Sequence, residues 1–161
     1  MNWLGAMLVV CASYVCGITL AKDEGNSLKT LDSLLNLLSY MRRRMSLERM
    51  PLFDIFSDFN DEYLEKIGFL KILRSHRNGL TALWSDAIST LSIDEETKRE
   101  YLRFGESLGS LPLDEQIVRL DSLTVFITEK RNKLRISLPD KQKSIKTVSL
   151  LLGLMTAIIL L

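Results

Sequence analysis

No charged side chain occurs in the first 21 residues of this chain or in its last 15. All 41 charged side chains, 21 basic and 20 acidic, lie between Lys22 and Lys146. Bulk values conceal this: 47% hydrophobic, 25% charged and a net charge of +1 are what an ordinary globular domain has. The segregation predicts an apolar end at 1–21, a polar middle at 22–146 and an apolar end at 147–161.

Trp3 to Ala21 is a continuous apolar run, and as a helix it measures about 28 Å, close to the ~30 Å hydrocarbon core of a bilayer. A cleaved signal peptide is the competing reading. It wants a basic residue before the apolar stretch and a small-x-small cleavage site after it, whereas only Met1 and Asn2 precede Trp3. An uncleaved anchor is the favoured reading. Thr147 to Leu161 spans about 22 Å as a helix, a length that also suits a buried core helix. Its apolar character on every face, its place at the end of the sequence and the preceding Lys141, Lys143 and Lys146 favour a second transmembrane helix. Basic residues crowd the inner flanks of both runs, including Lys22, Lys29, Lys130, Arg131, Lys133 and Arg135. The middle is therefore expected to face the cytoplasm. Cys11 and Cys16 fit no metal or disulfide pattern.

The middle reads as a string of helices. Leu28, Leu31, Leu35, Leu38 and Met45 follow alternating spacings of three and four, widened by Leu34, Leu37 and Met41. That helix should stop before Pro51, which suits the first turn of the next. Leu52, Ile55, Phe56 and Phe59 make the second apolar face. A third helix is predicted over Asp61 to His76, a short one over Leu80 to Leu91, and another from a capping box at Ser92 and Glu95 to about Gly109. The longest carries a heptad seam through Leu113, Ile117, Leu120, Thr124, Ile127, Arg131, Leu134 and Leu138, which Pro139 should kink or interrupt. The expected fold is all-α, an antiparallel helical bundle flanked by N- and C-terminal transmembrane helices.

Catalytic chemistry has no sequence foothold. The single histidine, His76, has no nucleophile or carboxylate partner placed beside it, and reads as a surface or helix-end residue. No phosphate loop, zinc spacing or calcium loop occurs. Acidic pairs Asp61-Glu62 and Glu95-Glu96 stand at helix starts, where they offset the helix dipole. We expect a non-enzyme with no catalytic, metal or cofactor-binding residues, no small-molecule substrate and, at near-zero net charge, no nucleic-acid partner. Arg42, Arg43 and Arg44 form the densest basic cluster, read either as a solvated face beside the anionic bilayer or as a docking patch for an acidic protein. Gly105 and Gly109 are assigned to helix packing and to a helix cap respectively. Ser13/Gly17 and Gly153/Ala157 repeat a small-x-x-x-small spacing in the two apolar runs.

The order of these pieces resembles the stage III sporulation protein AB family of endospore-forming bacteria, over essentially the whole length. The resemblance rests on the apolar amino-terminal run and on a leucine-rich helix ending at Met50-Pro51-Leu52. It continues through Trp84, the Phe104-Gly105-Glu106-Ser107-Leu108-Gly109 segment with Asp114 and Gln116, and the glycine-containing apolar tail at Leu152-Gly153-Leu154. Two departures stand out: Phe53-Asp54-Ile55-Phe56 where the family is alanine-rich, and Pro139 in the final helix. The resemblance implies a helical bundle like the cytoplasmic domains of the type II secretion F-type platform protein. It implies a place in the mother-cell-side membrane around the forespore, in a channel complex with other stage III sporulation A-operon membrane proteins and a cytoplasmic secretion-type ATPase. The bilayer would be a further partner. A membrane-tethered regulator that sequesters a soluble partner is the rival expectation.

Overall fold

The structure, a computed structural model, describes residues 25–75 and 79–160. The amino-terminal run, Cys11, Cys16, Ser13, Gly17 and His76 lie outside the described residues. Every regular element among the described residues is helical, in agreement with the all-α expectation. Helix α1 covers 25–43 and continues as a π-helical turn at Arg44–Glu48. It is followed by α2 (Leu52–Asp58), α3 (Glu62–Lys66), α4 (Phe69–Leu73), α5 (Leu80–Ser89), α6 (Glu95–Ser107) and α7 (Leu113–Leu160). Residues Lys29–Asn132 form one compact unit; Met1–Leu28 and Lys133–Leu161 form another.

Within Lys29–Asn132, the leucine stripe of α1 is buried through Leu31, Leu34, Leu37, Leu38, Met41 and Met45, while Leu35 is only half-buried. The apolar face is therefore centred one position away from the series read from the sequence. Two ion pairs set α1 against α7. Arg131 Nε donates to Asp32 Oδ1 at 2.6 Å, and Arg42 Nε and Nη2 donate to Asp121 at 2.5 and 3.1 Å. Ten residues separate the pairs on each helix, about 15 Å of helical rise, so the two helices run antiparallel in a matched register. Gln116, Leu120, Leu123 and Ile127 bury the facing side of α7.

Trp84 on α5 is the centre of the remaining core. Rings of Phe56, Phe69, Tyr101 and Phe104 surround it at centroid distances of 5.6–6.2 Å. Its indole N–H donates to the Tyr101 carbonyl at 2.7 Å, so the tryptophan buries its area without stranding its one polar group. Arg74 ties α2, α3 and α4 together: its guanidinium donates to the Phe56 and Phe59 carbonyls and pairs with Glu65. The first two are carbonyls at and near the end of α2, where helical acceptors lack partners.

Four local expectations need correction. The helix predicted over Asp61 to His76 is broken at Gly68, whose φ of +84° suits a residue with no Cβ. The reversal brings Phe69 fully into the core and leaves Ile67 half-buried. Pro51 is the N-cap of α2, with ψ of 143°, and not a first-turn residue. The cap of α6 is Asp94, not Ser92. Its carboxylate accepts from the Thr97 N–H at 3.1 Å and from Thr97 Oγ1 at 2.6 Å, because buried Ile93 carries the chain inward before the helix begins. Finally, Pro139 does not interrupt α7. It removes one helical N–H, and the carbonyl released four residues earlier belongs to Arg135, an exposed residue.

The apolar run from Thr147 is helical as far as Leu160. Among the described residues, no helix is long and apolar enough to cross a membrane. The charge-free part of α7 after Lys146 is about 21 Å, short of a ~30 Å core. Val148, Leu151, Leu152 and Met155 on it are exposed, spaced three and four apart along one face.

Candidate docking surface

The structure divides the arginine triplet. Successive residues on a helix point about 100° apart, and each of the three finds a different environment. Arg42 is held by Asp121 across to α7, and that hydrogen bond raises the guanidinium above its ordinary pKa. Arg44 pairs with Glu48 one turn on and donates from Nε to the Tyr40 hydroxyl at 3.0 Å; both bonds favour its charged form. Arg43 lies over the Tyr40 ring, 5.6 Å from its centroid, and has no carboxylate partner among the described residues.

Beyond the triplet, α1 ends in an unusual way. The Arg44 carbonyl accepts from the N–H groups of both Arg49 and Met50. To bring Met50 back, Arg49 takes φ of +49° and ψ of 34°, the left-handed region. No other non-glycine residue among those described has positive φ. The wide turn turns Met45 inward, 2% exposed, and Leu47 outward, 76% exposed. The end of α1 therefore presents Arg43, Leu47 and Arg49 together as an exposed tip. Leu47 had a sequence signal, as an apolar residue off the buried stripe. The backbone state of Arg49 had none.

Gly105 and Gly109 are both structural. A Cβ built on Gly105 would lie 2.9 Å from Cγ and Nε1 of Trp84, and closer still to Cδ1. Gly109 has φ of +74° just after the end of α6 at the Leu108 cap, with the nearest atom a Leu80 methyl at 3.9 Å. Gln116, buried at 8% exposure, donates its amide to the Leu111 carbonyl at 2.6 Å and secures the turn into α7.

A second surface feature lies between α6 and α7. An open groove of about 220 Å³ has Phe104, Leu123 and Phe126 in its lining and Glu100, Arg103 and Arg119 as its charged groups. Lys130 pairs with Glu96 and lies 3.6 Å from Asp94, which fastens the start of α6 to α7. Among the described residues no group of histidine, cysteine or acidic side chains is arranged to hold a metal ion. The Tyr101 hydroxyl is buried without a hydrogen-bond partner among them, and burial pushes its pKa well up. The Tyr101 ring itself packs against Trp84 in the aromatic core.

The described residues thus form a helical bundle with an exposed tip and an open groove, in which the segment that carried the family resemblance, from Phe104 to Gln116, builds part of the core and the turn into α7. Comparison with known proteins agrees with that resemblance: the family model for stage III sporulation protein AB matches residues 2–161. No curated protein and no solved structure matches the chain. The match covers all but one residue, and the chain belongs to the stage III sporulation protein AB family.

Proposed function

We propose that this sporulation protein is a non-enzymatic platform that holds a cytoplasmic secretion-type ATPase at the mother-cell-side membrane around the forespore, beside other membrane subunits of the channel complex. One observation carries the reading. The Asp32–Arg131 pair lies three residues in from Lys29 and one from Asn132, so the chain enters and leaves the bundle at the same end. The apolar runs at 1–21 and 147–161 continue from those two exits, and the arginine-rich tip stands a further 15 Å or so along α1, at the opposite end. A shared exit for the two ends of the bundle's chain, with an exposed surface far from it, is the arrangement a platform needs. The likeness to F-type platform domains belongs to this proposal as an analogy of architecture.

The short carboxyl-terminal run fits a membrane if lysine stems reach toward the headgroups and the bilayer thins locally, and its exposed Val148, Leu151, Leu152 and Met155 favour contact with lipid or with the spans of other subunits. Purification of the full chain from sporulating cells in mild detergent tests the proposal. Recovery of membrane subunits together with the ATPase is expected. Recovery of one soluble factor alone would identify a tethered regulator and overturn the platform reading.

A further inference from the structure

We propose that the tip at the end of α1 is a two-part contact for an acidic protein surface, with Leu47 entering an apolar socket and Arg43 and Arg49 pairing with carboxylates at its rim. This rests on the platform reading and names the contact it uses. Three independent observations converge on the tip. Leu47 is 76% exposed although the helix that carries it has a fully buried stripe two residues away, so its position is set by the π-helical turn and not by a shortage of core. Of the four arginines from Arg42 to Arg49, two are already paired: Arg42 takes Asp121 and Arg44 takes Glu48.

 Arg43 and Arg49 are the two left without a carboxylate among the described residues. Arg49 also holds a left-handed backbone, at φ of +49°, in a position that glycine would occupy without strain. A charged side chain kept there at the expense of the backbone is what a contact residue looks like.

The occupant follows from charge and position. Two uncompensated cations beside an exposed leucine call for an apolar patch rimmed by carboxylates. An anionic bilayer offers negative charge as well, but an element that binds a membrane surface presents a broad apolar face, whereas this tip presents a single large exposed apolar side chain, Leu47. One leucine between two cations suits a socket on a protein surface.

The experiment uses the full chain in nanodiscs of neutral lipid, with the purified secretion-type ATPase of the same sporulation machinery as the probe. Binding is compared for wild type, Leu47→Ser, Arg43→Ser and Arg49→Gly, and the melting temperature of each is recorded. Leu47→Ser should weaken binding about tenfold or more, as expected of a socketed apolar anchor. Arg49→Gly should melt higher than wild type and still bind less well, a combination that a purely structural arginine does not produce. If wild type binds and all three variants bind equally well, the tip is not the contact and the inference is overturned while the platform reading stands. If wild type does not bind the ATPase, both fall. If the variants keep the ATPase but lose affinity for phosphatidylglycerol vesicles, the tip is a membrane contact and the inference is overturned.

Discussion

Gly105 lies against the indole of Trp84, with no room between them for a methyl group: a Cβ on Gly105 would come within 2.9 Å of two ring atoms and closer to a third. The ring has little freedom to retreat, because its N–H is bonded to the Tyr101 carbonyl and four aromatic rings surround it. Gly105→Ala gains roughly 0.5–1 kcal/mol of helix propensity and incurs an overpacking cost of about 1–3 kcal/mol. A net loss of stability is expected on urea unfolding of the full chain in mild detergent. A variant more stable than wild type would show that the α5–α6 contact is looser than the structure has it.

Tyr101 has the opposite signature, a hydroxyl buried to no benefit. Tyr101→Phe keeps the ring and removes the unpaired group, so stability should be unchanged or rise by about 1 kcal/mol. The pH dependence has a definite sign. Burial raises the folded-state pKa above the ordinary value, so the unfolded chain releases this proton first as pH rises past about 10. Wild type should therefore lose stability above that point more steeply than Tyr101→Phe. Parallel alkaline melting curves would refute this.

At the start of α6, burial disfavours the charged Asp94 carboxylate, but hydrogen bonds from Thr97 and the nearby Lys130 outweigh it and hold the pKa below the ordinary value. A depressed folded pKa stabilises the protein above the unfolded value near 3.9 and ceases to do so as pH falls through the folded one. Asp94→Ala should cost about 1 kcal/mol at pH 7, the usual magnitude for a lost N-cap, and less at pH 3. Chemical denaturation at the two pH values checks the difference.

The Asp32–Arg131 pair, with side chains 46% and 30% exposed, contributes to register more than to stability. Asp32→Arg should destabilise by roughly 1 kcal/mol at low salt, the upper range for exposed pairs, and Arg131→Asp added to it should restore most of the loss. High salt should shrink both effects. No rescue by the double variant would mean that the two helices do not meet in this register.

Arg49→Gly removes an L-residue from the left-handed region and should stabilise the protein by about 1 kcal/mol, read as a higher melting temperature. Unchanged stability would imply that the turn relaxes in solution.

Periodicity alone determined the helical character of this chain, because helix faces repeat every 3.6 residues and the apolar positions of α1, α5 and α7 keep that repeat across many turns. The glycine at 105 and the left-handed glycine at 109 were legible for a related reason: each is a cost in a helix unless a neighbour or a turn requires it. Local signals misled where two readings differ by little. Ser92 and Asp94 are both good caps, and burial of Ile93 between them decided for Asp94. Gly68 is tolerable inside a helix, but in the fold it takes a left-handed conformation and the Phe69 that follows packs against Trp84. The arginine triplet shows the same division. Sequence placed three cations side by side, but pairing depends on residues 79 positions away, as with Arg42 and Asp121, and no local pattern encodes such a distance. Tertiary structure therefore decided which charges are already spent, and left Arg43, Leu47 and Arg49 exposed at the end of α1.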